Sequence, residues 1–222
     1  MIKAVIFDMY ETLVTLFNCP TYFGTQIAKD LNVEPDNFLE TWRAMEEKRT
    51  IGKVTLEEVL TDIMNQNQSY DENLLKKVVE KRISAQNECF CHLHPEIIGM
   101  LSELKKQNVK IGLISNCFSE EATLIRQSKL FPFFDAVFLS YEQGIQKPDK
   151  EIYFRCMKKL EVLPQECMYV GDGGSFELEV AKELGMKTFQ AVWYLKEGTL
   201  QPAKRKAEFE QLEMPSELLK FI

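Results

Sequence analysis

Four polar runs in this chain hold residues able to do chemistry, and most of them follow an apolar stretch. The β-branched run from Ile2 to Phe7 leads into Asp8-Met9-Tyr10-Glu11-Thr12. The run from Val109 to Ser115 ends on Ser115-Asn116. Lys147-Pro148-Asp149 precedes a helical pattern, and the run from Met168 to Gly171 leads into Asp172-Gly173-Gly174-Ser175-Phe176-Glu177. Gathered at one edge, these supply a carboxylate nucleophile, a hydroxyl and amide to hold an oxyanion, a cation, and a second acid able to ligate a metal. Singly, each has an ordinary structural reading. Asp8 and the glycine run suit turns, Ser115-Asn116 suits a helix N-cap, and Lys147-Pro148-Asp149 suits a helix start with Pro at its first position. Order and strand context together favour the chemical reading.

The elements that must position these residues follow from apolar periodicity. After the first strand no comparable strand is expected between Pro20 and Glu88. Instead Phe38, Trp42 and Met45 share a helical face, as do Leu56, Val59, Leu60 and Ile63, and Leu75, Val78, Val79 and Arg82. Pro35-Asp36 and Thr55 sit where helices begin. Beyond Pro95, helices at Ile97 to Leu104, Glu120 to Lys129, Asp149 to Leu160 and Phe176 to Leu184 alternate with strands. Those strands are Val109 to Ser115, Ala136 to Leu139, Met168 to Gly171 and Lys187 to Val192. Such alternation predicts βαβ units and a doubly wound parallel α/β sheet, Rossmann-like, with an all-helical cap inserted after its first strand. The expected division is a core of residues 1–14 and 93–222 and a cap of 15–92. Surface helices are expected at Pro202 to Leu212 and Pro215 to Ile222. In open α/β sheets ligands bind beyond the carboxyl ends of the strands, which is where the four runs lie.

Composition narrows the classes. The chain has 222 residues, 27 basic against 34 acidic, and a net charge of -7. That balance disfavours nucleic acid as a partner. No apolar run approaches the ~20 residues of a membrane span, and the run Ala4 to Phe7 is too short for a signal peptide. The expected compartment is the cytoplasm, with the six cysteines as thiols. The expected partner is a small-molecule substrate, and the expected state a monomer or homodimer.

Together the motifs resemble the haloacid dehalogenase-like hydrolase superfamily over nearly the whole chain. The matching residues are Asp8 with Thr12, Ser115, Lys147, and Gly171-Asp172 with Glu177. The resemblance implies that Asp8 is a nucleophile forming a covalent aspartyl intermediate. It implies a Mg²⁺ between Asp8, the Tyr10 carbonyl and Asp172. It places Lys147 against crowded negative charge, Ser115 and Asn116 on phosphoryl oxygens, and Thr12 in the nucleophile loop. Glu177 would hold Lys147 or a metal-bound water.

Two departures matter. Phosphatases of the superfamily usually carry a second Asp two residues after the nucleophile, where this chain has Tyr10. A phenol with an ordinary pKa near ~10 is a poor proton shuttle at neutral pH. Tyr10, and Arg43 after Trp42, resemble the 2-haloacid dehalogenase branch, whose cap Arg binds substrate. That branch needs no metal and is neutral where Asp172 stands, and two adjacent carboxylates need a cation. The reading taken is therefore a Mg²⁺-dependent phosphatase of small metabolites. A 2-haloacid dehalogenase, or a degenerate member that only binds a phosphorylated ligand, is the alternative. Arg43 is expected on the substrate side of a mobile lid. Cys89, Cys91, His92 and His94 lack paired zinc-site spacing and read as a hinge, and Cys117 reads as a small filler.

Overall fold

The structure is a computed structural model that describes residues 1–196, 201 and 203–222. Among these residues six strands form one sheet: β1 (Ala4–Phe7), β2 (Lys110–Ser115), β3 (Ala136–Leu139), β4 (Cys167–Gly171), β5 (Lys187–Ala191) and β6 (Glu210–Leu212). Their order is β3-β2-β1-β4-β5-β6, and every pairing is parallel. The chain winds outward from β1 on one side through β2 and β3. It then crosses back to β4 on the other, so β1 lies at the switch of direction where such sheets bind ligands.

Both faces of the sheet are buried, which explains the continuous apolar strands. Val5, Phe7, Ile111, Leu113, Met168 and Val170 point to one face. There they meet α6 (Ile97–Lys106), α7 (Ser119–Gln127) and the C-terminal 3₁₀ turn Pro215–Phe221. Ala4, Ile6, Ile114, Cys167 and Tyr169 point to the other, under α9 (Lys150–Leu160) and α10 (Glu177–Glu183). Gly112 lets α9 approach closely: a Cβ there would lie 2.9 Å from Cys156 Sγ and 3.0 Å from Leu160 Cδ1.

The segment between β1 and β2 is helical, as its periodicity predicts. It holds α1 (Gly24–Asp30), α2 (Pro35–Ala44), α3 (Glu46–Thr50), α4 (Leu56–Gln66) and α5 (Glu72–Cys91). Pro35 is the first residue of α2. Thr55 caps α4 in a reciprocal pair with Glu58. Ile27, Leu31, Phe38, Val59, Leu60, Ile63 and Val78 give this cap a core of its own.

A buried four-charge cluster docks the cap on the core. Arg49 of α3 donates to Glu120 of α7 at 3.2 Å, and Arg82 of α5 reaches Glu120 at 3.5 Å and Glu121 at 3.4 Å. Gln86 donates to Glu121 at 2.6 Å. The Arg49 guanidinium lies between the rings of Trp42 and Phe118, 3.7 and 3.8 Å from their centroids. Gly52, at φ 72°, comes so near the Tyr141 carbonyl of α8 (Ser140–Gln143) that a Cβ would sit 2.0 Å from it.

The tail departs from expectation. Pro202 lies outside the described residues, residues 203–209 form no helix, and Glu210–Leu212 is the edge strand β6. Its pairing with β5 outweighs the weak helical pattern of a short polar stretch. The second expected helix is present as the 3₁₀ turn Pro215–Phe221.

Replacing Gly112 with Val should force α9 off β2. Overpacking of this kind costs about 1–3 kcal/mol. A thermal melt should show a midpoint lowered by roughly 2–10 °C, and an unchanged midpoint would mean that α9 is not held there.

Candidate active site

Asp8, Lys147, Asp172 and Glu177 converge at the carboxyl edge of β1 and β4. Asp8 directly follows β1, and its amide donates to the Val170 carbonyl at 2.9 Å, so the sheet ladder itself fixes its position. Asp172 directly follows β4, and Glu177 opens α10. Lys147 arrives from the loop before α9, with its ammonium 2.6 Å from Asp8 Oδ1 and paired also to Glu177 Oε2. All four side chains are buried.

Their supports are local. Asn116 holds Lys147 by two backbone hydrogen bonds: its Nδ2 donates to the Lys147 carbonyl at 3.0 Å, and its Oδ1 accepts from the Lys147 amide at 2.8 Å. Glu177 accepts from the Gly173 amide at 3.1 Å and the Tyr169 hydroxyl at 3.3 Å. Gly171 leaves room for that carboxylate, since a Cβ there would lie 2.2 Å from Glu177 Oε1. Asp172 Oδ1 accepts from the Gly174 amide at 3.0 Å, and its carbonyl accepts from Gln190 Nε2 at 2.8 Å.

The electrostatics are lopsided. Asp8, Asp172 and Glu177 can each offer a carboxylate oxygen within 4.8 Å of the others. Lys147 is the cation paired among them. Burial, then Glu177, pushes the Asp8 carboxyl upward, and Lys147 pulls it back. Burial and the Glu177 and Asp8 charges push Asp172 well above the usual carboxylate range. Burial disfavours the charged lysine, but Asp8 and Glu177 more than offset this and raise Lys147. Added positive charge would favour ionised carboxylates here, and an all-oxygen donor set suits Mg²⁺.

A cavity of about 400 Å³ opens over these groups, lined by Asp8, Tyr10, Lys147 and Asp172 and walled by Leu16, Phe17 and Phe23. A second cavity of about 650 Å³ continues into the cap–core cleft, sharing Tyr10, Leu16, Asn116 and Ser175 with the first. Arg43 lines only this outer cleft, exposed on α2. Ser115 is wholly buried at the end of β2 and donates weakly to the Asn116 carbonyl at 3.4 Å. Thr12 is wholly buried and lines neither cavity. Its Oγ1 has no partner among the described residues, and its carbonyl accepts from Trp193 Nε1 at 2.8 Å. The Tyr10 hydroxyl is likewise buried without a partner among the described residues, and burial and Glu121 raise it well above the ordinary phenol range.

A family model described as haloacid dehalogenase-like hydrolase matches residues 2–185. The chain belongs to this family. Among curated relatives of this hydrolase, the rhythmically expressed gene 2 protein of Drosophila melanogaster is 35% identical over 99 residues, 43% of this chain and 38% of that protein. A glyceraldehyde 3-phosphate phosphatase of Methanopyrus kandleri is 27% identical over 208 residues, 85% of this chain and 83% of that protein. Among solved structures, a 2-haloacid dehalogenase from Pseudomonas syringae pv. tomato aligns with a TM-score of 0.73 at 20% identity, covering 99% of this chain and 97% of that one. A phosphatase of the family from Thermococcus onnurineus aligns at 0.69 and 19%, with the same coverage. The fold of this hydrolase is thus shared by proteins titled as dehalogenases and as phosphatases.

Three positions escaped the sequence reading. Glu11 holds φ at 57° and accepts from Thr15 Oγ1, the Leu16 amide and Gln201 Nε2, each within 2.9 Å, so it shapes the cavity wall. Gln190, buried on β5, ties the Asp172 loop to the Lys204 carbonyl and the Lys206 amide. Arg49 leaves two nitrogens without partners among the described residues, inside the interface. A Glu followed by Thr four residues later, and a Gln inside an apolar strand, were the available signals for the first two. The cysteine–histidine run forms no metal cluster among the described residues. His92 pairs with Glu88 at 2.9 Å, and the His94 amide donates to the Tyr194 hydroxyl at 2.6 Å.

Lys147→Met leaves three buried carboxylates uncompensated. Removing one partner of such a buried set costs about 3–5 kcal/mol. Urea denaturation at neutral pH should show that loss, and a wild-type midpoint would mean that Lys147 does not neutralise the cluster.

Proposed function

We propose that this hydrolase cleaves phosphate monoesters of small metabolites, with Mg²⁺, through a covalent aspartyl intermediate on Asp8. The observation that carries the reading is the charge count at the sheet edge, three converging buried carboxylates against one lysine. Asp8, Asp172 and the Tyr10 carbonyl would hold the ion. When bound it would supply positive charge to a phosphoryl oxygen and keep the carboxylates ionised. The phosphatase names of the curated relatives agree with this direction. The same reading takes a cytoplasmic setting and no nucleic-acid partner.

In this scheme Asp8 attacks phosphorus from the end of β1, and the bond to the leaving oxygen breaks. Lys147 offsets charge between the nucleophile and the transferring group. The backbone around Asn116 receives phosphoryl oxygens, and Ser115, buried just behind it, joins them by turning its hydroxyl away from the Asn116 carbonyl. Asn116 fixes the Lys147 backbone and so sets where the ammonium stands. Tyr10 is held in its neutral form and offers a hydroxyl to the leaving-group oxygen. It is a weak base for the second step, in which water cleaves the aspartyl phosphate. Thr12 serves by holding the nucleophile loop to Trp193. Arg43 meets the distal part of a substrate that reaches the outer cleft.

Tyr10 favours a second reading, 2-haloacid dehalogenation, in which Asp8 attacks carbon and no metal takes part. A screen of phosphate esters and 2-haloacids, with Mg²⁺ and with chelator, separates the two. Ester turnover that chelator abolishes is expected, and turnover of 2-haloacids in chelator would overturn the phosphatase reading. Asp8→Asn should reduce ester turnover to background, because an amide is a far poorer nucleophile. Wild-type turnover in that variant would exclude Asp8. Calorimetry on metal-stripped protein should show one Mg²⁺ bound by the wild type and binding lost in Asp172→Ala; equal binding by both would exclude the ion site. Arg43→Ala should raise KM roughly tenfold or more with folding unchanged, as expected for a charged hydrogen bond worth about 1.5–3 kcal/mol, and unchanged kinetics would remove Arg43 from the site.

A further inference from the structure

The cavity over Asp8 has a reactive side and an apolar wall, and the wall is made by Leu16, Phe17 and Phe23. These three large side chains are half-buried, yet among the described residues they belong to neither face of the sheet core nor to the core of the cap. Phe17 and Phe23 come from opposite ends of the entry loop and meet at the cavity, with ring centroids 6.1 Å apart and planes at 52°. Buried polar groups hold their backbones. Glu11 accepts from the Leu16 amide at 2.9 Å, and Thr15 Oγ1 accepts from the Phe17 amide at 3.1 Å. Arg82 donates to the Tyr22 carbonyl, just before Phe23, at 2.8 Å, and its guanidinium lies 5.9 Å from the Phe23 centroid. The wall is thus set in place before anything binds, which lowers the cost of using it.

The polar groups around the same cavity face other partners. Glu11 accepts three hydrogen bonds from the protein. Both polar atoms of the Asn116 amide bond the Lys147 backbone, and the Lys147 ammonium is paired with Asp8 and Glu177. The Tyr10 hydroxyl is turned to the ester oxygen in the proposed reaction. Hydroxyls of a polyol laid against Phe17 and Phe23 would leave water and meet no partner, whereas a flat apolar group would cover the ring surface. At about 400 Å³ the cavity has room for a phosphoryl group and one ring. Polar substituents find partners only farther out, past Tyr10 and Ser175, in the cleft lined by Arg43 and Glu46.

We infer that the site selects phosphate monoesters whose alcohol carries a flat apolar group beside the ester oxygen, as an arylmethyl alcohol does, over esters of polyols and sugars. The inference rests on the phosphatase reading and gives it a substrate class.

The experiment measures binding, using the full chain with Mg²⁺ and two phosphonates that cannot be hydrolysed. One is phenethylphosphonate, the isostere of benzyl phosphate, and the other is the methylene isostere of glycerol phosphate; inorganic phosphate is the reference. Calorimetry should give phenethylphosphonate a Kd at least about tenfold below that of the glycerol isostere. Phe17→Ala and Phe23→Ala should each shrink that ratio several-fold, and Phe17→Leu, which keeps an apolar wall, should retain most of it. Far-UV circular dichroism should stay native, and the Phe17 variants, on a loop outside the cores, guard against a folding defect in the other. The kcat/KM values for benzyl and glycerol phosphates, both esters of primary alcohols, should differ in the same direction. Equal or tighter binding of the glycerol isostere, with phosphate itself still bound, would overturn the selectivity alone. An undiminished ratio in both alanine variants would overturn the assignment to Phe17 and Phe23. Failure of phosphate and both phosphonates to bind would overturn the phosphatase reading and the selectivity with it.

Discussion

The ammonium of Lys147 is the interaction on which the rest of the site depends. It stands 2.6 Å from Asp8 and is paired also with Glu177. With its side chain almost wholly buried, it makes that carboxylate cluster tolerable. Unpaired charge of this kind is expensive away from water, so each neighbouring choice follows from it. Gly171 has no side chain because the Glu177 carboxylate occupies that space. Asn116 spends its amide on the Lys147 backbone instead of remaining free. Tyr169 turns its hydroxyl toward Glu177. One cation cannot balance three carboxylates, which is the charge excess on which the proposed metal site rests.

A second set of buried charges governs how the cap sits. Arg49 and Arg82 come from the cap, Glu120 and Glu121 from the core, so the cluster is neutral only when the two are docked. Separation would leave two cations on one surface and two anions on the other, both then hydrated. The docked form is thus held by charge matching and by the aromatic sandwich on Arg49. Glu121 also faces Tyr10, and the charge that seats the cap helps keep that phenol neutral. Cap position and the state of Tyr10 therefore share one group.

The sheet, its strand exits and the helical insert were legible because burial on both faces leaves unbroken apolar runs such as Val5-Ile6-Phe7. The convergence of Asp8, Lys147, Asp172 and Glu177 followed from strand order. β6 was not legible: Glu210–Leu212 is three residues long, mostly polar and at the sheet edge, and nothing local separates it from a loop. The buried arginines were hidden for a related reason. Arg82 shares a helical face with Val78 and Val79, yet its partners Glu120 and Glu121 lie some forty residues away in sequence. Glu11 occupies a left-handed backbone position that a glycine would take at less cost. Thr15 and Leu16 supply two of its three hydrogen bonds locally, and the third comes from Gln201, 190 residues on.

The place of β1 between β2 and β4 has a consequence for how the chain comes off the ribosome. Asp8 is made long before its partners: its strand pairs with Cys167–Val170, and its carboxylate meets Lys147 and Glu177. Roughly 170 residues must follow it, which at synthesis rates of about 5–20 residues per second leaves the first strand waiting for about 8–35 seconds. The residues of the cap core, all between Tyr22 and Val79 among the fully buried ones, are complete well before that. During synthesis the apolar strand β1 therefore stays unpaired on its β4 side until the residues that meet Asp8 have been made.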